Sequence, residues 1–394
     1  MIGSLAELLR ERPESIKKAK ERGAKVVGYF CPYVPVELIH AAGMIPLRLV
    51  FGGEAEASEA GEQFLGSYSC PYARACIGYR ALGKDPYYAA VDALCVASTC
   101  DAMKRIQDYW QYYFKVPVFA LGVPRTYDRF RLRPYAMEYF EKELELLKSR
   151  LEKLSGNEVT DRRLRDSIKL YNSIRLLMRE LYERPSGGAQ WISWSEALHI
   201  SQTGLLLDPS EFLEELQRIY SRLRSSNTLR AMAGREAGAE ERHEPRLMVY
   251  GSLVSLGDRK VLDIIEQAGG DIVADATCTG LRLWRKDVSE SDRPLSALAE
   301  RYLTNVSCPY MMDMGMRVSY VTKVARENQV DGLIYYNLRY CESFRGELGL
   351  FEDALKKEMK IPVLLIETEY SPSDVGTIRT KVEAFLEMIR GVYA

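Results

Sequence analysis

The tripeptide Cys-Pro-Tyr occurs three times, at residues 31–33, 70–72 and 308–310. With 8 Cys, 16 Pro and 25 Tyr among 394 residues, composition alone would produce well under one copy. Three copies point to one local task performed three times. The remaining cysteines are Cys76, Cys95, Cys100, Cys278 and Cys341. In a reducing compartment disulfides are disfavoured, so each thiol is a core residue, a nucleophile or a metal ligand. Position sorts them. Cys31, Cys100, Cys278 and Cys341 each fall a few residues past an apolar, strand-like run. Cys70 and Cys308 sit near the start of a helical pattern, where unpaired N–H groups and the dipole favour a thiolate or an anionic cluster. A proline after the Cys donates no hydrogen bond and holds the Cys extended, which keeps a ligand on the loop. Cys95 lies inside the strand-like VDALCVA and Cys76 inside a helical pattern, so both read as core packing. Six cysteines can then converge on one cleft. The compact Cys-x-x-Cys knuckles of structural zinc are absent. Iron–sulfur clusters accept thiolates dispersed over several loops, which ranks iron–sulfur ahead of zinc.

Positioning such thiols requires strands that end together. Strand patterns fall at 25–30, 44–50, 91–97 and 116–121, each followed by helix or loop. From 124 to about 240 strand signals vanish, and charged helical patterns cover 135–154, 161–184, 191–200 and 209–230, with Ser186-Gly187-Gly188 as a break. Strand patterns resume at 247–250, 271–276, 332–337 and 361–367, with helices at 259–268, 318–328, 350–359 and 375–389. The expected fold is α/β, with two duplicated parallel-sheet (flavodoxin-like) domains and a helical middle insertion. The expected boundaries are 1–124, 125–240 and 241–394, with a polar linker at 237–246. An N-terminal helix over 4–22 is expected to break or restart at Pro13. The duplication rests on cysteine spacing. Cys70 and Cys100 are 30 positions apart, and Cys308 and Cys341 are 33 apart, each pair spanning Ser-Cys-Pro-Tyr, helix, strand and Cys. Cys31 takes Cys278 as its counterpart on this reading.

Composition removes other function classes. Hydrophobic residues make up 47% and charged residues 28%, as in an ordinary soluble protein. The formal net charge is −1 and no basic run stands out, so nucleic acid is not an expected partner. Residues 1–20 are charged throughout and lack the apolar core of a signal peptide. No uncharged apolar stretch reaches 18 residues, so no membrane span is expected. The expected location is cytoplasmic.

Taken together, GYFCPYVPVELIHAAGMIP, SYSCPYARACIG, VASTCDAMKR, DATCTGLR and YNLRYCESFRGE resemble the 2-hydroxyacyl-CoA dehydratase / benzoyl-CoA reductase family. The likeness spans both α/β halves. It implies two related α/β domains and an iron–sulfur cluster held by three cysteines, which by position look like Cys70, Cys100 and Cys341. The additional Cys31, Cys278 and Cys308 look like the double-cubane cluster branch, in which two cubanes share a bridging sulfide in an [8Fe-9S] unit. The resemblance then implies Cys70, Cys100 and Cys341 on one cubane and Cys31, Cys278 and Cys308 on the other. The duplication suggests a rival division, one triad from each half. The resemblance also implies a homodimer that reduces a small-molecule substrate. Its electrons would come from a partner, an ATP-hydrolysing iron–sulfur reductase (the activator). No G-x-x-x-x-G-K-[ST] loop occurs in this chain, consistent with nucleotide hydrolysis elsewhere. Two alternatives stay open. One is a 2-hydroxyacyl-CoA dehydratase or aryl-CoA reductase subunit with a single [4Fe-4S] cluster. The other is a non-catalytic electron carrier or zinc-stabilised scaffold.

Further residues have two readings each. Glu37 and His40, three apart on one predicted helix, either face the cluster and move protons or are a solvated Glu and a packed His. Glu342, Arg345, Arg48 and Arg282 either support the ligands from behind or form surface ion pairs. Tyr33, Tyr72 and Tyr310 either limit water at the cluster or pack the core. His199 and His243 read as ordinary surface or core residues.

Overall fold

The computed structural model describes residues 3–125, 133–182, 192–232, 244–305, 308–311 and 314–393. Its strands are β1 (Val26–Tyr29), β2 (Ile45–Arg48), β3 (Ala93–Ser98), β4 (Val118–Gly122), β5 (Arg246–Gly251), β6 (Asp271–Ala276), β7 (Gly332–Leu338) and β8 (Val363–Thr368). They form two four-stranded sheets, β2-β1-β3-β4 and β6-β5-β7-β8. Every strand pair is parallel. The strand order is the same in both, as two flavodoxin-like domains related by duplication require. The inner strands β1 and β7 are buried along their whole length, which suits their near-continuous apolar sequences. The edge strands β4 and β8 are mostly half-buried.

In an open parallel sheet the chain reverses its direction of travel at one point, and ligands collect beyond the strand ends there. With this order the reversal lies between β1 and β3 in one half and between β5 and β7 in the other. The two halves meet through those ends. Leu256 N donates to Val50 O at 2.9 Å and Gly52 N donates to Leu256 O at 3.1 Å. Gly53, at φ +90, lies where any Cβ would strike the Gly257 backbone.

Between β4 and β5 the described chain is helical: Arg133–Ser155, Asp161–Tyr182, Trp194–Gly204 and Pro209–Met232. Ser193 and Glu196 form a reciprocal capping box at the third of these. These helices pack on the halves. Asp161–Tyr182 lies against Val36–Ala41, and Arg133–Ser155 lies against β4 and Pro294–Thr304. The expected break at Ser186-Gly187-Gly188 lies outside the described residues. So does the linker as far as 243, and Arg246 already belongs to β5. Among the described residues no helix is long and apolar enough to cross a membrane.

Three local expectations are corrected. Pro13 does not interrupt the first helix, which runs Gly3–Glu21. Proline cannot donate to the carbonyl of Leu9, and Tyr87 Oη donates to that carbonyl instead, at 2.8 Å. The segment between 53 and 70, read from Gly52-Gly53 as the start of a loop, contains the helix Ala55–Leu65 packed against Pro71–Leu82. The helix after Cys308 begins at Met314, earlier than 318.

Candidate functional site

The chain leaves β1 through Phe30 into Cys31, β3 through Thr99 into Cys100, β6 through Thr277 into Cys278 and β7 through Arg339 and Tyr340 into Cys341. Tyr340 makes the last turn with φ +62. Cys70, Cys100 and Cys341 are the N-cap residues of Pro71–Leu82, Asp101–Tyr113 and Glu342–Met359. Cys308 lies before Met314–Glu327. All six side chains are partly accessible, whereas Cys76 and Cys95 are fully buried. Tyr88 Oη donates to Cys76 Sγ at 3.4 Å, so both act as core residues.

The six thiols influence one another through their charges. Burial pushes the Cys70 thiol up to about 11, the neighbouring Cys100 adds to this, and the N–H groups of Ala73 and Tyr72 pull it back. Burial likewise raises Cys100, against the N–H groups of Met103 and Ala102. Cys341 is raised by burial and then by Cys70, with Cys100 and Cys308 further behind. Burial pushes Cys31 up to about 12, with Cys278 and Cys100 as further raising charges. Cys308 is raised by burial and then by Cys278. Cys70, Cys100 and Cys341 are coupled to one another, as are Cys31, Cys278 and Cys308, and Cys31–Cys100, Cys100–Cys278 and Cys341–Cys308 couple across these sets. In the first, negative charge is favoured by helix N-termini.

In the second it is favoured by arginines. Arg282 Nη2 lies 2.5 Å from Cys278 Sγ, and Arg48 Nη1 donates to Cys278 O at 3.0 Å. Arg48 Nε also donates to Phe30 O at 3.0 Å. Both guanidiniums are buried, and among the described residues neither meets a carboxylate. One nitrogen of each, Arg48 Nη2 and Arg282 Nη1, is buried without a partner. A buried charge without a counter-charge is costly, so these residues call for an anion at the thiols. Arg74, beside Cys70, differs: Glu62 and Glu369 neutralise it.

The loop that carries Cys278 is shaped by Asp275, a residue the sequence reading did not single out. Its carboxylate accepts from Thr277 N (2.9 Å), Thr277 Oγ1 (3.1 Å), Leu281 N (3.2 Å) and Trp194 Nε1 (2.7 Å). Burial raises its pKa. An Asp two residues before a Thr at a strand end was the available signal.

Two of the three tripeptide tyrosines join the halves and the third acts within the first half. Tyr33 Oη accepts from Cys308 N at 3.2 Å, and Tyr310 Oη lies within hydrogen-bond reach of Ser98 O at 3.2 Å and Val123 O at 3.1 Å, which share its one proton. Tyr72 Oη donates to Leu49 O. Two other expectations change. Glu37 does not face the thiols as a proton carrier: it is fully buried, paired with Arg175, and accepts from Tyr302 Oη at 2.7 Å. His40 Nδ1 instead meets Ser167 Oγ at 2.9 Å. Cys278 is not the counterpart of Cys31, because it follows β6 at a sheet edge; the place equivalent to Cys31, after β5, begins with Ser252. Cys70 with Cys308, and Cys100 with Cys341, do occupy equivalent places. Arg345 pairs with Glu367 at 3.7 Å, and Glu342 is exposed. His199 is partly buried at the rim of a second cleft, and His243 lies outside the described residues.

A mononuclear zinc site brings about four donors within 2.3 Å of one point. Among the described residues no three Cys, His, Asp or Glu side chains converge in that way.

Comparison with known proteins places the chain in a family. The family described as 2-hydroxyglutaryl-CoA dehydratase, D-component, matches residues 31–389. The chain belongs to this family. It is 27% identical over 376 residues to the putative dehydratase subunit YjiM of Escherichia coli (strain K12), covering 95% of this chain and 94% of the relative. It is 26% identical over 377 residues to a benzoyl-CoA reductase subunit of Thauera aromatica, covering 95% and 93%. It is 24% identical over 382 residues to (R)-2-hydroxyglutaryl-CoA dehydratase, subunit beta, of Acidaminococcus fermentans, covering 95% of each. The family match includes all six cleft cysteines, since it runs from Cys31 past Cys341.

Proposed function

We propose that this protein is an iron–sulfur reductase carrying a double-cubane [8Fe-9S] cluster. It would reduce a small molecule with low-potential electrons from an ATP-hydrolysing iron–sulfur reductase, the activator. The supporting observation is that Arg48 and Arg282, two buried cations without carboxylate partners among the described residues, both meet Cys278, one of six partly exposed cysteines at strand ends and helix starts. Protonated thiols leave those charges uncompensated, and iron-bound thiolates would supply the missing negative charge. Cys70, Cys100 and Cys341 would hold one cubane, and Cys31, Cys278 and Cys308 the other. When bound, the cluster supplies one-electron chemistry at low potential. The chain's own part is to favour negative charge at the sulfurs. Helix N-termini do this for the first triad and the two guanidiniums for the second. Tyr33 and Tyr310 tie the loops across the cleft and keep bulk water from it. The same reading has the protein acting in the cytoplasm as a homodimer, without nucleic acid or membrane.

A second reading is favoured by the names of two relatives, a benzoyl-CoA reductase subunit and (R)-2-hydroxyglutaryl-CoA dehydratase, subunit beta. On that reading the chain is one component of a dehydratase or aryl-CoA reductase with a single [4Fe-4S] cluster. Iron, zinc and acid-labile sulfide in anaerobically purified protein separate the two. About eight irons per chain supports the first, about four the second, and zinc without iron excludes both.

A further inference from the structure

The three Cys-Pro-Tyr tyrosines spend their hydroxyl protons differently. The Tyr72 proton goes to Leu49 O, and the Tyr310 proton is shared by Ser98 O and Val123 O. Tyr33 Oη has one hydrogen-bond partner among the described residues, Cys308 N at 3.2 Å, and there it is the acceptor. Its own proton goes to no carbonyl, carboxylate or hydroxyl oxygen of those residues. The side chain is only 5% exposed, so bulk water is a poor substitute. A buried hydroxyl that gives up hydration without gaining an acceptor is costly.

The surroundings limit what takes that proton. Tyr33 lines one pocket with Pro32, Cys278, Arg282 and Cys308, and no Asp or Glu lines it. The charges that act on the Tyr33 hydroxyl are those of Cys308, Cys31 and Arg282. A guanidinium offers no acceptor, which leaves sulfur. A protonated thiol accepts weakly, whereas an iron-bound thiolate or sulfide carries negative charge and accepts well. The oxygen is also anchored from both halves. Val34 N donates to Cys31 O at 3.2 Å, closing a turn that keeps Tyr33 beside Cys31, and the Cys308 N–H holds Oη from the other side.

We propose that the Tyr33 hydroxyl donates its hydrogen bond to a cluster sulfur on the Cys31–Cys308 side, and that this bond raises the cluster's reduction potential. The inference rests on the proposed function, which puts iron on these cysteines. A hydrogen bond to sulfur offsets negative charge there. The reduced cluster carries more of that charge, so the bond stabilises the reduced form more than the oxidised one.

The test is a redox titration of the anaerobically purified full-length protein, followed by electron paramagnetic resonance, with iron measured on every sample. The wild type is compared with Tyr33→Phe and with protein carrying a fluorinated tyrosine at position 33. Loss of the donor in Tyr33→Phe should make reduction about tenfold less favourable, a fall of about 59 mV for one electron. The fluorinated phenol keeps the contact with Cys308 N but is a stronger donor, so its potential should lie above that of the wild type. A merely structural role would move both variants the same way or neither. Equal potentials in iron-loaded wild type and Tyr33→Phe overturn the proposal, and so does a fall in both variants. If Tyr33→Phe loses its iron, the fluorinated protein decides: a raised potential supports the proposal and an unchanged or lowered one overturns it. A wild type without iron overturns the proposed function and this inference with it, and the iron measurement tells that failure from the failure of the hydrogen bond alone.

Discussion

Arg48, at the end of β2, donates from Nη1 to the carbonyl oxygen of Cys278 across 3.0 Å, joining the first α/β half to the loop behind β6. It is fully buried, with one nitrogen unpartnered. In an iron-free chain, Arg48→Met removes two hydrogen bonds but also an uncompensated buried charge, so the net change is expected to stay within about 2 kcal/mol. In an iron-loaded chain the same change removes a counter-charge to the thiolates. The rise in Tm on iron loading should therefore be smaller in Arg48→Met by roughly 4 °C or more. Calorimetry of loaded and unloaded protein measures both rises, and equal rises would exclude Arg48 as the counter-charge.

The proposed function divides the cysteines into ligands and core. Serine at Cys31, Cys70, Cys100, Cys278, Cys308 or Cys341 should each lower iron per folded chain, because an alcohol does not replace a thiolate on iron. Alanine at Cys76 or Cys95 should leave iron unchanged while lowering stability by about 1 kcal/mol, since both thiols are fully buried in apolar clusters. Iron analysis beside chemical denaturation reads both effects. Unchanged iron in Cys278→Ser would remove that residue from the ligand set.

The cysteine positions were legible because local rules govern them: strand ends and helix starts can be read from periodicity and from proline. The parallel sheets and the repeat were also legible, since the same strand–helix rhythm occurs twice. Long-range partnerships were not. Arg48 meets a carbonyl 230 residues away, and nothing beside it in sequence distinguishes it from a surface arginine. Glu37 had two readings, a proton carrier beside Cys31 or a solvated residue, and it is neither. Its true partners, Arg175 and Tyr302, lie 138 and 265 residues on, and they come together only in the fold. The error over Cys278 had a similar source: spacing in the chain does not reveal which strand of a sheet lies at its edge.

The helix Ala55–Leu65 was overlooked for a related reason. It contains Gly61, which lowers helix propensity, and the glycine is explained only by what it touches. A Cβ at Gly61 would collide with the carbonyl of Arg74, and a Cβ at Gly78 with the carbonyl of Ala57. The two helices thus pack backbone to backbone, and the second begins at the Cys70 cap. Gly78→Ala should force them apart, cost about 3 kcal/mol or more, and displace Cys70. The expected outcome is a lower denaturation midpoint together with less iron. A variant as stable as wild type would show that the helices separate freely.

Glu37, Arg175 and Tyr302 tie three helices together: Val36–Ala41, Asp161–Tyr182 and Pro294–Thr304. Burial alone would raise the Glu37 pKa, but the charges of Arg175 and Arg301 overcome it and hold the carboxyl below its usual range. The folded state therefore binds a proton there less readily than the unfolded chain. Its contribution to stability is complete above the ordinary glutamate value of about 4.3 and is lost as the pH falls from there toward the lower folded value. Glu37→Gln strands Arg175 as a buried cation and should cost about 3–5 kcal/mol near neutral pH. Adding Arg175→Met removes the stranded charge, so the double variant should be more stable than Glu37→Gln alone. Urea denaturation of the wild type and both variants at pH 7 and pH 3 tests this. The wild-type advantage over Glu37→Gln should shrink at the lower pH, and a constant difference would mean that the Glu37 carboxylate is not the group that holds these helices.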